Sequence, residues 1–171
     1  MSDHYSFMEE ALNEASDALS RGEFPVGCVM VYDQQIIARG RRRQSGAQAG
    51  QPANEVDHAE ILALRNLLNS AHQAPLDKVT VYATMEPCLM CYATLLISGI
   101  RTFVYSYEDV MGGGTALRLD QLPLLYRTMV VSITPHILRE KSLFLFKQFF
   151  KTNTNPYLRD TTLAEYTLAQ S

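Results

Sequence analysis

Only three cysteines occur in the 171 residues, and two of them, Cys88 and Cys91, form a C-x-x-C pair. That is too few for a disulfide framework, so a reducing compartment, the cytoplasm, is the expected location. No apolar run approaches membrane-spanning length. The opening MSDHYSFMEEALNEA lacks the basic start and apolar centre of a secretory leader, and a membrane is not an expected partner. Charge is scarce as well: Asp, Glu, Lys and Arg make up 19% of the chain, and 15 basic against 18 acidic side chains leave a net charge of -3. Such a balance gives no global attraction to nucleic acid or anionic lipid, although a local basic patch stays open. Repeats and low-complexity tracts are missing. A hydrophobic content of 47% at this length suits one globular domain around one core.

What is present reads as alternating helices and strands. Phe7, Met8, Ala11, Leu12, Ala15, Ala18 and Leu19 recur at helical spacing before Gly22, which predicts an amphipathic helix over 5–21. VGCVMVY (26–32) and QIIARGR (35–41), joined by Asp33-Gln34, predict a hairpin, and the small and polar residues of 44–55 a mobile loop. A helix follows to about Asn69, with Asp57 as the expected N-cap. VTVYAT (79–84) predicts a strand, and 88–98 a helix with Pro87 in its first turn and Gly99 as its stop. Further strands are expected over 101–107 and 129–133, one or two short helices over 117–127, and a long helix over 138–151. This order implies an α/β fold, one mixed five-stranded sheet with helices on both faces. The domain is expected over 1–151, followed by a polar tail, 152–171, broken by Pro156 and without an assigned docking site.

The chemistry gathers in two short motifs at helix starts, His58-Ala59-Glu60 and Pro87-Cys88-Leu89-Met90-Cys91. Cysteines three apart on a helix share a face, so both sulfurs can reach one metal ion. His58 is the third candidate ligand and leaves a fourth tetrahedral position for water, the pattern of a catalytic zinc site. Two thiolates cancel the formal charge of Zn2+, so a water there is acidified less than in an all-histidine site, where its pKa is about 7. A neighbouring base must then take its proton, and Glu60 is the carboxylate that the spacing places beside a ligand. A redox dithiol would leave His-x-Glu without a role, and a structural zinc site would want a fourth Cys or His. Cys28, inside an apolar strand, reads as a small buried hydrophobe.

His-x-Glu followed by Pro-Cys-x-x-Cys is the signature of zinc deaminases that act on nucleobases. HAEILALR (58–65), VTVYATMEPCLMC (79–91) and FPVGCVMV (24–31) closely resemble the cytidine deaminase-like superfamily, and within it the bacterial tRNA adenosine deaminases and fungal cytosine deaminases. The likeness runs from the first helix to about Gly112. It continues weakly into the last helix, where Phe149-Phe150 resembles a pair near the C-terminus of the tRNA enzymes. The resemblance implies a three-layer α/β/α fold, a homodimer or higher oligomer, hydrolytic release of ammonia, and backbone contact to the base near Ala59. One position departs from it. The relatives carry a substrate-contacting Asn shortly after the second strand's glycine, where counting from Gly40 gives Arg42 here, and the loop over 43–57 is longer than in the tRNA enzymes.

The expected activity is therefore zinc-dependent hydrolytic removal of the exocyclic amine of a nucleobase. Net charge, the Arg42 departure, and only five basic against three acidic residues after Pro135 favour a free base, nucleoside or nucleotide of cytosine, adenine or guanine type as substrate. Arg42, alone or with Arg39, Arg41 and Arg43, is the candidate phosphate reader, against the plainer role of charges on a solvated strand edge. A tRNA adenosine deaminase forming inosine is the alternative. It draws on MEPCLMC and on Phe149 and Phe150, whose rings beside Lys147 and Lys151 would stack RNA bases if they are not simply buried. A silent deaminase-fold subunit that binds RNA or a protein partner is a further alternative, weakened by the intact Glu60.

Overall fold

The computed structural model of the protein describes residues 4–46, 52–152 and 154–170. The chain forms helix α1 (His4–Ser20), strands β1 (Gly27–Tyr32) and β2 (Gln35–Arg41), helix α2 (Ala59–Leu68), strand β3 (Thr80–Met85), helix α3 (Leu89–Ser98) and strand β4 (Thr102–Tyr107). It continues through the short helix α4 (Leu124–Arg127), strand β5 (Ser132–Thr134) and helices α5 (Arg139–Lys151) and α6 (Thr162–Ala169). The strands make one sheet in the order β2-β1-β3-β4-β5, antiparallel on the β1 side and parallel from β3 to β5. This is the expected mixed five-stranded α/β arrangement. No helix among the described residues is long and apolar enough to cross a membrane.

Side-chain alternation along the strands builds the two faces. Val29, Val31, Tyr82 and Val104 bury against Met8, Ala11 and Leu12 of α1. Cys28, Met30, Val81 and Phe103 belong to the larger cluster made with Ala63 and Leu67 of α2 and Tyr92, Leu95 and Leu96 of α3. The hairpin turn sits where expected, and both Asp33 and Gln34 have positive φ, as a two-residue turn matched to strand twist requires. Gly40 lets α2 lie on β2: a Cβ there would come within 2.2 Å of the Ala59 carbonyl oxygen and 2.5 Å of the Ala63 nitrogen. Gly99 ends α3 with φ of 111°, so its stop signal is a left-handed cap.

Three local expectations are corrected. Asp57 does not cap α2; its carboxylate pairs with Arg65, and His58 occupies the cap position. Pro87 lies before α3 rather than inside it, because Cys88 is the cap. The last strand starts at Ser132, three residues later than the apolar run begins. Of the loop over 44–55, residues 47–51 lie outside the described residues; its ends are joined by a hydrogen bond from the Asn54 N–H to the Gln44 carbonyl.

The segment after Thr152 packs on the body of the protein. Thr161 caps α6 with its side chain, and Leu163 and Ala164 join the main core cluster beside Phe146 and Phe149 of α5. Upstream, Asn155 is buried and donates to the Gly22 carbonyl and to Ser45 Oγ, while Ser45 donates to Glu23.

Candidate active site

Two helix starts meet at the C-terminal side of β3. His58 and Cys88 are the N-caps of α2 and α3, both in extended backbone, and each carbonyl accepts the first helical bond, from the Leu62 and Tyr92 N–H groups. Cys91 sits one turn into α3, on the same face as Cys88. The Nδ1 of His58 lies 3.5 Å from Cys88 Sγ and 3.4 Å from Cys91 Sγ, and one donor atom from each of the three residues falls within 4.8 Å of the others. Two soft sulfurs and an imidazole nitrogen at that spacing fit a tetrahedral zinc ion with one position left over. A helix N-terminus favours thiolate, and hydrogen bonds from Cys91 and His58 hold the Cys88 thiol down at about 4 despite its partial burial. Cys91 is pushed up instead, chiefly by its hydrogen bond to Cys88 and by burial.

Glu60 lies in the first turn of α2, 3% exposed, with Oε2 3.6 Å from Cys91 Sγ. Burial, followed by the negative charge of Cys88, raises its carboxyl to about 7. Such a group exchanges protons readily near neutral pH.

These residues open onto a cavity of about 180 Å³. Its lining includes His58, Ala59, Glu60 and Cys88. Apart from Arg42, sequence reasoning missed the rest of the lining. Glu86 accepts from the N–H groups of Asp109 and Thr115 and from the Thr115 hydroxyl, which folds 109–115 across the mouth of α3. Asp109 accepts from the Met111 and Gly112 N–H groups and closes that turn. Opposite them stand Phe24 and, from the C-terminal segment, Tyr157, Leu158 and Leu163. The only local signal for Glu86 was its place between the strand and Pro87. The bonds from Asn155 and Tyr157 span more than a hundred residues and leave no periodicity to read.

The other predicted contacts are placed differently. Phe149 and Phe150 are corrected: both are buried, pack edge-on to each other, and contact Phe24 from the core side. Rings held there are not available to stack on RNA bases. Arg42 does line the cavity, but its guanidinium donates to the carbonyls of Arg43, Asn54 and Asp57 and pairs with Glu55. Arg39 and Arg41 pair with Glu10, Glu14 and Asp17 on and after the first turns of α1.

Fold and site together define an α/β zinc-dependent hydrolytic deaminase, one that breaks a C–N bond. Residues 1–107 match the cytidine and deoxycytidylate deaminase zinc-binding region, and the chain belongs to that family. Among curated relatives, the tRNA-specific adenosine deaminase of Agrobacterium fabrum is 31% identical over 153 residues, 88% of this chain and 96% of its own length. The tRNA-specific adenosine deaminase 2 of Xenopus tropicalis is 35% identical over 115 residues, 64% of this chain and 65% of the frog protein. The chain therefore spans just under two thirds of that relative. A solved structure from work on A-to-I editing by tRNA:A34 deaminases superposes with a TM-score of 0.68 at 30% identity, covering 82% of this chain and 98% of that one.

These relatives correct the expected substrate, a free base, nucleoside or nucleotide, because the proteins matched over most of the chain are tRNA-specific adenosine deaminases. The physical grounds for that expectation were weak. A net charge sums over the whole surface and does not describe one contact face. The Arg42 fork is occupied by backbone carbonyls and Glu55, not open to a phosphate.

Proposed function

We propose that the protein converts an adenosine of a tRNA loop to inosine. The observation that carries this reading is the 31% identity to the Agrobacterium fabrum tRNA-specific adenosine deaminase along 96% of that enzyme's length. The cavity is compatible with it: about 180 Å³ falls below the roughly 300–1,000 Å³ of pockets that enclose drug-sized ligands and leaves room for a base. A base presented in a single-stranded loop is already largely unstacked, which lowers the cost of inserting it.

His58, Cys88 and Cys91 would hold a zinc ion, which when bound would supply Lewis-acid activation of a water molecule. Glu60 Oε2 accepts the proton that this water loses and delivers it to the ring nitrogen next to the amine-bearing carbon. It then moves a second proton to the leaving amine, so that one water is consumed, the C–N bond breaks, a carbonyl forms and ammonia departs. The backbone at Ala59 and the walls formed by Phe24 and Leu158 keep the base in line with Glu60 and exclude bulk water. A homodimer, implied by the family resemblance, belongs to the same reading. Exposed Leu68 on α2 and Leu89 and Ile97 on α3 give apolar surface for it.

The test is to incubate zinc-loaded protein with total tRNA at moderate salt, digest the RNA and quantify inosine. Glu60-dependent inosine is expected. No inosine, together with Glu60-dependent ammonia release from free bases, would overturn the reading.

A further inference from the structure

Arg42 is 2% exposed, and a buried guanidinium persists only where its N–H groups find acceptors. Nη1 donates to the carbonyls of Arg43 at 3.1 Å, Asn54 at 2.6 Å and Asp57 at 3.2 Å. Asp57 is the residue before His58, so this nitrogen holds the turn that presents the imidazole. Nη2 faces the opposite way, 3.3 Å from Glu55 Oε2 and 3.5 Å from the Tyr157 hydroxyl, which itself donates to Glu55 Oε2 at 2.9 Å. The guanidinium carbon also stands 5.4 Å from the centre of the Tyr157 ring. Tyr157 packs edge-on to Phe24 and lines the cavity with its neighbour Leu158. One buried cation thus ties the metal-ligand turn to the C-terminal segment that walls the pocket.

We infer that Arg42 is a positioning residue for the substrate: through Tyr157 it latches residues 155–163 to the turn at 54–57 and so sets the wall against which the base is held. A lysine at this position keeps the charge but offers one compact ammonium in place of a planar fork, and cannot serve three carbonyls and a carboxylate at once. Tyr157→Phe removes only the hydroxyl and leaves the ring packing. A residue that merely staples the loop would change stability or zinc content. A latch for the pocket wall changes substrate binding and the order of 155–163.

Arg42→Lys, Tyr157→Phe and the double variant are compared as zinc-loaded proteins. Each single variant is expected to raise KM for tRNA roughly tenfold with kcat within about twofold, the pattern of lost binding common to ground and transition states, and Tyr157→Phe, which leaves the bonds to the 54–57 turn intact, keeps wild-type zinc content. The double variant should be no worse than the poorer single one, because both break one network. Amide hydrogen exchange at 155–163 should quicken at least about tenfold in both, with α5 unchanged. Unchanged KM, a fall in kcat alone, multiplied effects in the double variant, or loss of zinc in Tyr157→Phe would each overturn the latch. Should Arg42→Lys not fold, Tyr157→Phe carries the same readings. The kinetic arm rests on the tRNA reading for its substrate, whereas exchange needs none. Faster exchange beside absent tRNA turnover in the wild type would support the latch and count against tRNA.

Discussion

Glu60 concentrates the chemistry of the site in one side chain. Its carboxyl is buried beside two sulfurs and reaches about 7, where an acid and its conjugate base are both accessible at neutral pH. Removing that proton relay without touching the ligands should separate turnover from metal binding. Glu60→Gln is expected to keep one zinc per chain and the far-ultraviolet spectrum of the fold while losing deamination by a factor of about 10² to 10⁴. Near-normal turnover in that variant would assign the relay to another group. The same burial makes a prediction for the metal-free protein. Between about 4.5 and 7 the folded state keeps a proton that the unfolded chain has released, so raising the pH through this window lowers stability, and the effect levels off above it. Urea midpoints of the chelated wild type should therefore fall across the window relative to those of Glu60→Gln. Parallel curves for the two proteins would mean that Glu60 is not buried as an acid.

At the level of elements, the site depends on how closely α2 lies on β2. A methyl group at residue 40 would press on backbone atoms of Ala59 and Ala63, which cannot rotate away, so the helix bearing His58 at its cap and Glu60 in its first turn must shift. Gly40→Ala should cost about 1–3 kcal/mol of stability, as overpacking does, and should weaken zinc binding in a chelator competition. Unchanged midpoint and unchanged zinc affinity would show that the contact is looser than this. The elements that hold the ligands were legible because their signals are local. The 3.6-residue recurrence of Met8, Leu12 and Ala15, the short apolar runs of β1 and β3, and the His-x-Glu and Cys-x-x-Cys spacings each lie within one segment. The pocket's outer wall was not legible for the converse reason. Thr161 capping Ala164 and the buried set Leu163, Ala164 and Thr167 are a weak helical pattern on their own. They become meaningful only against Phe146 and Phe149, brought near by the fold. Arg42 was singled out as a substrate contact, yet nothing in its own neighbourhood foretold Tyr157, 115 positions away.

Across the whole molecule the C-terminal segment closes both core and pocket. A chain ending at Lys151 would uncover Phe24 and Phe149 and lose the buried Leu163, a side chain whose burial alone is worth about 1.5–3 kcal/mol. Such a truncation is expected to lower the melting temperature and abolish turnover together, whereas a fully stable, active 151-residue chain would make the segment dispensable. On the proposed tRNA reading, charge over the same surface governs how the RNA is held. Arg39 and Arg41 lie against Glu10, Glu14 and Asp17, and Arg42 is buried, so among the described residues Arg43 alone of this basic run remains outside such pairing. With those three arginines so engaged, this run offers few phosphate contacts. Each contact with a single strand contributes a slope of about 0.7 to log affinity against log salt, and two or three contacts give a slope of about 1.4–2. Log KM for tRNA should therefore rise with log salt at that shallow slope, and kcat should stay flat. A slope above about 4 would require at least five or six phosphate contacts, more than this surface supplies from one chain, and would place part of the RNA-binding face on a second protomer.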